Sequence, residues 1–229
     1  THRTDSAEAP DFRHIEAWVF DLDHTLYTLD HSQHKAMEDR ICLFVQNHFG
    51  IAREPAWEIQ KRYLREYGST LGGLVRHYDV DPDIYHDAVN DVNALGLETN
   101  APLRAALQRL PGTRIVFTNN CGRYASRVLQ RLGIDDLFTS IVDARVMDFM
   151  PKPLPSAYEA MIAHSGITPE RAAMFDDSVR NLVPARALGM TTVWFNNNGG
   201  QSYWQVDEHN LHINYETGNL PEFLSTIRI

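Results

Sequence analysis

Cysteine is scarce in this chain of 229 residues, which contains only Cys42 and Cys121. The two cysteines are far apart, have no metal-ligand spacing and are too few for a disulfide scaffold, so a reducing compartment is expected. Long apolar runs are also missing, since no stretch approaches the roughly 20 residues that span a bilayer. Residues 1–14 are polar and lack a secretory apolar region. The expected location is therefore the cytoplasm, with no membrane partner.

Positive charge is in short supply as well. The formal net charge is −9 at pH 7 and the isoelectric point is about 5.6, which argues against general binding of nucleic-acid polymers. An acidic chain that binds a small anion needs a local device, such as a cation, a lysine or oriented amides. Hydrophobic content of 43% with 22% charged residues is ordinary for a folded domain.

Short apolar runs alternate with helical patterns along most of the chain. The expected strands are 17–20, 114–118, 172–175 and 191–195, with a weaker one at 140–144. This alternation predicts an α/β fold with an open, doubly wound parallel sheet, similar to a Rossmann core. The turn after the first run has no glycine, which excludes the Gly-rich turn of a dinucleotide-binding oxidoreductase.

One interval, residues 31–93, contains helical patterns and no convincing strand. It is predicted to be a small all-helical cap domain, inserted into a core domain formed by residues 15–30 and 94–229. The joints are expected near 29–31 and 93–101, where Gly96 is a candidate hinge. Farther along, residues 196–205 are expected to form a loop and residues 220–227 a short closing helix.

Polar residues with a common chemistry follow the predicted strands, where ligands bind in such sheets. These strand-end residues are Asp21, Asp23, Thr25, Thr118, Asn119, Asn120, Asp176 and Asp177. Lys152 stands between two prolines in a predicted extended loop. Each residue alone has an ordinary structural explanation, such as a turn, a helix cap or a solvated charge. All of them in strand-end register on one chain indicate a site.

Several carboxylates at one point repel each other, by about 4 kcal/mol for a pair about 4 Å apart at an effective dielectric constant of about 20. A hard cation relieves this repulsion, and an all-oxygen ligand set suits Mg²⁺, which in turn attracts phosphate. The Thr118 hydroxyl, the Lys152 ammonium and backbone amides after the strands are candidates for holding phosphoryl oxygens. One aspartate can attack phosphorus and a second can transfer the proton.

The order "DLDHT", Thr118, Lys152 and "DDSVRN" resembles the haloacid dehalogenase superfamily of phosphatases over residues 17–195. The resemblance implies a nucleophile at Asp21, a general acid and base at Asp23, and phosphate binding by Thr118 and Lys152. It further implies Mg²⁺ held by Asp21, Asp176, Asp177 and the backbone carbonyl of Asp23. Leu22, Thr25, Asn119 and Asn120 are the remaining candidates for phosphate binding.

Within this superfamily, the segments "YLREYGSTLGGL", "DPDIYHDAV" and "FTNN" resemble pyrimidine 5'-nucleotidases. The resemblance implies a pyrimidine nucleoside 5'-monophosphate as substrate, and Tyr67, beside Gly68, is a candidate contact for its base. Phosphoglycolate or a sugar phosphate stays open as the substrate, and so does a sugar phosphomutase activity. Both a monomer and a homodimer are open.

Three other classes fit the motifs less well. A dehalogenase resembles a similar site in which the second acid of the first motif is replaced. Here that second acid, Asp23, is present, which argues against a dehalogenase. A signalling receiver places its acidic pair first, and here the pair comes last. A binding module without catalysis would have lost its nucleophile or its acid and base, and both are present.

Overall fold

A computed structural model describes residues 9–196 and 212–229. Within them, six strands form one all-parallel sheet in the order β3-β2-β1-β4-β5-β6, which confirms the predicted α/β fold. The strands are β1 (Ala17–Phe20), β2 (Thr113–Phe117), β3 (Ser140–Val142), β4 (Ala172–Asp176), β5 (Thr191–Phe195) and β6 (Tyr215–Thr217).

Helices cover both faces of the sheet. They are α5 (Ala101–Gln108), α6 (Gly122–Leu132), α7 (Pro155–Ser165), α8 (Val179–Ala187) and α9 (Leu220–Thr226). Trp18 and Phe20 of β1 pack with α5, α6 and α9 in one hydrophobic cluster. Ala17 and Val19 pack with α7 and α8 in another. Because both faces are buried, the strands are continuous apolar runs.

Residues 31–93 contain four α-helices, as the sequence predicts. They are α1 (His31–Phe49), α2 (Arg53–Tyr67), α3 (Thr70–His77) and α4 (Pro82–Val89), and a 3₁₀ turn follows at Val92–Leu95. The four helices share a third hydrophobic cluster, with Val45, Tyr63, Leu74 and Tyr85 among its buried members. The inserted segment therefore has an apolar core of its own.

The two links between this segment and the sheet are tied together at the start of α1. Asp30 caps the helix by accepting a hydrogen bond from the Gln33 backbone N–H (2.8 Å), and the Gln33 side chain accepts one from the Asp30 N–H (2.8 Å). This reciprocal pair is a capping box. The Gln33 Nε2 also donates to the Leu95 carbonyl at 2.6 Å, so a single side chain bonds both links.

Some element bounds differ from the predicted ones. The second strand ends at Phe117, because the Thr118 hydroxyl accepts the Asn120 N–H (3.1 Å) and starts a turn. The third strand stops at Val142, since the Asp143 carboxylate bonds two backbone N–H groups. The closing helix is confirmed as α9, and strand β6 lies outside the prediction. Apart from Asn196, the predicted loop 196–205 lies outside the described residues.

No helix of residues 9–196 and 212–229 has the length and apolar character that crossing a bilayer requires.

Candidate active site

Three strand ends lie side by side because β1 lies between β2 and β4. Asp21 directly follows β1, Thr118 follows β2, and Asp176 is the last residue of β4. All three side chains are buried. The sheet thus brings the predicted residues to the edge where ligands bind in open α/β folds.

Lys152 reaches this edge from the loop before α7 and is 1% exposed. Its ammonium donates to Asp21 Oδ1 (2.8 Å), to Asp176 Oδ2 (2.8 Å) and to the Phe117 carbonyl (2.7 Å). All three protons of the ammonium therefore have an acceptor. The lysine is the cation between two of the predicted carboxylates.

Asn119 holds the backbone of Lys152 in place. Its Oδ1 accepts the Lys152 N–H (2.8 Å) and its Nδ2 donates to the Lys152 carbonyl (3.1 Å). The sequence predicts that Asn119 binds phosphate, and the structure places its side-chain amide on the loop that carries the lysine. Asn120 instead faces the helical segment, since its Oδ1 accepts from Asn90 Nδ2 at 2.8 Å.

The buried charges shift each other's ionisation. Burial raises the pKa of Asp21 to about 7, with Lys152 opposing and Asp176 adding to the shift. Burial also raises the pKa of Asp177 well above its usual value, and repulsion from Asp176 and Asp21 adds to it. For Lys152, burial disfavours the charge, but Asp176 and Asp21 outweigh burial and raise its pKa. The cluster is short of positive charge.

The acidic cluster has the oxygen atoms that a hard cation needs. Asp21, Asp176 and Asp177 each offer one carboxylate oxygen, and these atoms all lie within 4.8 Å of one another. Asp176 is oriented by the Ser178 N–H (2.9 Å) and by Asn181 Nδ2 (3.0 Å). An all-oxygen set of carboxylates fits Mg²⁺ by its donor chemistry. The side chain of Asp23 lies outside this group.

Asp23 is bonded by two tyrosines. Its Oδ1 accepts hydrogen bonds from the Tyr27 hydroxyl and from the Tyr124 hydroxyl (3.2 Å). Burial raises the pKa of both hydroxyls, and the charge of Asp23 adds to the shift. Sequence reasoning missed both tyrosines and also Asn181. Tyr27 and Asn181 are the last residues of the motifs "DLDHTLY" and "DDSVRN", and this position is the signal that could have identified them.

A cavity of about 300 Å³ lies between these residues and the helical segment. The predicted site residues that line it are Asp21, Asp23, Thr118, Asn119, Asn120, Lys152 and Asp177. Residues of α1, α2 and α4, including Ile41, Leu64 and His86, form its other wall. A larger cavity of about 770 Å³ adjoins Asp177 between α1, α2 and β5, but neither Asp21 nor Lys152 lines it.

Four predicted residues do not line the smaller cavity: Leu22, Thr25, Tyr67 and Asp176, the last of which is fully buried. The side chain of Leu22 is fully buried in the sheet core, and Thr25 is 2% exposed. The Tyr67 hydroxyl lies 2.5 Å from His77 Nε2, in an exposed contact between α2 and α3. Gly68, the next residue, lines the cavity in its place. Because α2 ends at Tyr67, the chain turns at Gly68 and the two residues face different ways.

The structure combines a parallel α/β sheet with a cluster of carboxylates at the carboxyl edge of its strands. Residues 15–189 match the family model of the haloacid dehalogenase-like hydrolases, and the chain belongs to this family. The hydrolase class and the predicted superfamily are thereby confirmed.

Individual relatives share less than a third of their residues with this chain. Phosphate metabolism protein 8 of Saccharomyces cerevisiae is 27% identical over 191 residues, which cover 76% of this chain and 60% of that protein. The chain therefore spans less than two thirds of this relative. A phosphatase structure from Thermococcus onnurineus has a TM-score of 0.59 at 20% identity, covering 94% of this chain and all of the other. The L-2-haloacid dehalogenase of Xanthobacter autotrophicus has a TM-score of 0.57 at 13% identity, covering 92% and 97%. Both structures show the shared fold.

Proposed function

We propose that this chain is a Mg²⁺-dependent hydrolase of phosphate monoesters that works through an aspartyl-phosphate on Asp21. The observation that carries the proposal is the buried group of Asp21, Lys152 and Asp176, of which Asp21 and Lys152 line a cavity with a helical roof. The name of the yeast relative, phosphate metabolism protein 8, supports a phosphorylated substrate.

Each residue has a role in this proposal. A carboxylate oxygen of Asp21 forms a bond to phosphorus as the bond to the ester oxygen breaks, and Asp23 gives its proton to the departing oxygen. Asp23 then takes a proton from the water that hydrolyses the acyl phosphate. Lys152 and Thr118 bind phosphoryl oxygens and stabilise the charge that develops on them.

Asp21, Asp176 and Asp177 would hold Mg²⁺, with the backbone carbonyl of Asp23 as a further ligand. The bound ion supplies positive charge that offsets the repulsion between the phosphoryl group and the carboxylates. Burial, with repulsion between the carboxylates added to it, raises the pKa of the Asp21 and Asp177 carboxyls, and a bound cation would offset that repulsion.

The helical segment 31–93 acts in this proposal as a cap domain on the core of residues 15–30 and 94–229. It closes over the phosphoryl group and excludes water. The small cavity and its apolar cap residues suit a nucleoside 5'-monophosphate, and the resemblance of the cap sequence favours a pyrimidine base.

A phosphate-release screen tests both the proposed reaction and the proposed substrate. The purified chain is incubated with Mg²⁺ and with UMP, CMP, phosphoglycolate and sugar phosphates in turn. We expect phosphate release that EDTA abolishes and Mg²⁺ restores, with UMP or CMP preferred. Preference for phosphoglycolate would change the substrate and keep the reaction. A sugar phosphate that is isomerised without phosphate release would replace the hydrolase with a mutase.

A further inference from the structure

Two buried tyrosines on different elements meet at the side chain of Asp23. Tyr27 follows Asp23 after one tight turn, and Tyr124 lies on α6. Their hydroxyl oxygens are 2.7 Å apart, and both hydroxyls bond the same oxygen of Asp23, Oδ1. Both residues are part of the hydrophobic cluster on one face of the sheet, where they are 6% and 4% exposed.

The protons of this group can be assigned by counting donors. A phenol has one proton to donate and lone pairs that accept. Asp23 as a carboxylate only accepts, so Tyr27 gives its proton to Oδ1. Tyr124, which is 2.7 Å from the Tyr27 oxygen and 3.2 Å from Oδ1, gives its proton to these two acceptors. The result is a short chain of donors that ends on one oxygen of Asp23.

The other oxygen of Asp23 has a different environment. Within residues 9–196 and 212–229, no hydrogen bond to Oδ2 is formed, and Asp23 lines the cavity above Asp21 and Lys152. An oxygen that already accepts two hydrogen bonds is a poor place for the carboxyl proton. A proton on Asp23 therefore belongs on Oδ2.

We propose that Tyr27 and Tyr124 are positioning residues that fix the Asp23 carboxyl and direct its proton-carrying oxygen, Oδ2, to the leaving oxygen of the substrate. This inference rests on the proposed function. Neither tyrosine lines the cavity, and both act through Asp23.

The expected consequence follows from the proton transfer. As Asp21 bonds to phosphorus, the ester oxygen leaves with the electron pair of the broken bond and takes the proton from Asp23 Oδ2. A strongly basic alkoxide needs this proton, whereas p-nitrophenolate is stable without it. Loss of the tyrosine hydroxyls should therefore slow the hydrolysis of esters of alcohols and leave the hydrolysis of p-nitrophenyl phosphate nearly unchanged.

Tyr27→Phe tests this expectation with p-nitrophenyl phosphate and benzyl phosphate, two esters of similar shape. The readout is kcat/KM, because it reports the steps up to departure of the leaving group and not the later hydrolysis of the phosphoenzyme. General acid catalysis contributes about 10²- to 10⁴-fold, and we expect misplacement of the acid to cost about 10-fold on benzyl phosphate. On p-nitrophenyl phosphate we expect a loss of at most about 2-fold.

Two further variants complete the experiment. The quantity compared is the ratio of kcat/KM for benzyl phosphate to kcat/KM for p-nitrophenyl phosphate. Tyr124→Phe should lower this ratio as Tyr27→Phe does, but by a smaller factor, because Tyr124 is the more distant donor to Asp23. Tyr215→Phe is the matched control. It removes a phenol hydroxyl from a ring that packs against the same hydrophobic cluster, and it should leave the ratio unchanged. Thermal unfolding verifies that each variant folds.

Equal losses on both esters, or no loss on either, would overturn the positioning role while the wild-type chain still hydrolyses both. Failure of the wild-type chain to release phosphate from either ester would contradict the proposed function itself. The inference would then fall with it, because no proton transfer would remain for the tyrosines to direct.

Discussion

At the scale of single residues, Lys152 and His86 show two ways in which burial acts on a titratable group. Lys152 is fully buried, but three acceptors surround its ammonium and it keeps its charge. A buried ammonium is tolerated when it is paired and hydrogen-bonded in this way. His86 is 4% exposed, and its Nε2 has no hydrogen-bond partner among the described residues. Its Nδ1 lies 3.3 Å from Asn90 Nδ2, and its imidazole is held neutral.

Burial lowers the pKa of His86 from 6.5 to about 4. Between these two values the unfolded chain binds more protons than the folded chain, so the free energy of unfolding falls as the pH drops from 6.5 towards 4. At about 1.4 kcal/mol per pKa unit, we expect His86 to account for up to about 3 kcal/mol of this loss. His86→Gln should therefore lose less stability on acidification, as measured by chemical denaturation at several pH values.

His164→Gln is the control for this prediction, since His164 is exposed on α7. All other titrating groups are common to the wild type and to each variant, so the difference isolates the histidine. A pH dependence of His86→Gln that matches the wild type would show that His86 contributes nothing to acid sensitivity.

At the scale of elements, the end of α2 is fitted to the loop that carries Lys152. Gly68 caps the helix with φ +74°. A Cβ atom at this position would lie 2.2 Å from the Lys152 carbonyl oxygen. Only glycine allows both the left-handed backbone and this close approach. The end of α2 and the Lys152 loop thus touch backbone to backbone.

Gly68→Ala should destabilise the chain and lower kcat/KM together, because the new methyl group displaces the backbone of Lys152. Gly50→Ala is the matched control. Gly50 ends α1 with φ +62°, and a Cβ atom there would meet no neighbouring group of the described chain within 4 Å. Both variants carry the left-handed cost of about 1–2 kcal/mol, and Gly68→Ala adds about 1–3 kcal/mol for overpacking.

Denaturant unfolding and phosphate release measure the two effects. Equal stability losses and full activity in both variants would show that the contact between Gly68 and the Lys152 loop affects neither stability nor catalysis.

Elements also show where sequence patterns are sufficient and where they are not. Strands β1 and β5 are predicted with their bounds, because each contains a continuous run of buried apolar residues. Strand β6 has three residues and reads Tyr-Glu-Thr, and such a short polar edge strand has no apolar run to reveal it. The direction of the Tyr67 side chain depends on the residue at which α2 ends. A change of one residue in the end of a helix is enough to turn a side chain away from the cavity.

At the scale of the whole molecule, α4 connects the helical segment to the core. Two of its residues and the residue that caps its C-terminus, spaced about one helical turn apart, bond core side chains: Asp83 with Arg145, Asp87 with Arg123, and Asn90 with Asn120. The two ion pairs are exposed and contribute little to stability. Such contacts can break and re-form at low cost, which suits the proposed cap, since a cap must open for its substrate.

The same scale explains how much of the site the sequence could predict. Asp21, Thr118, Lys152 and Asp176 follow from strand ends and motif order, because a parallel sheet brings its carboxyl ends to one edge. The contact of Asp23 with Tyr124 depends on how α6 packs on the sheet. No spacing in the sequence contains that information.

The measurement that tests the central claim most directly is the location of the phosphoryl group during turnover. Asp23→Asn is expected to slow hydrolysis of the acyl phosphate, so this variant with Mg²⁺ and p-nitrophenyl phosphate, whose leaving group needs no proton, should accumulate a phosphoenzyme. Acid quenching and peptide mass spectrometry should place the phosphoryl group on Asp21, and Asp21→Asn should carry none and release no phosphate. A phosphoryl group on another residue, or phosphate release by Asp21→Asn at the wild-type rate, would contradict the account.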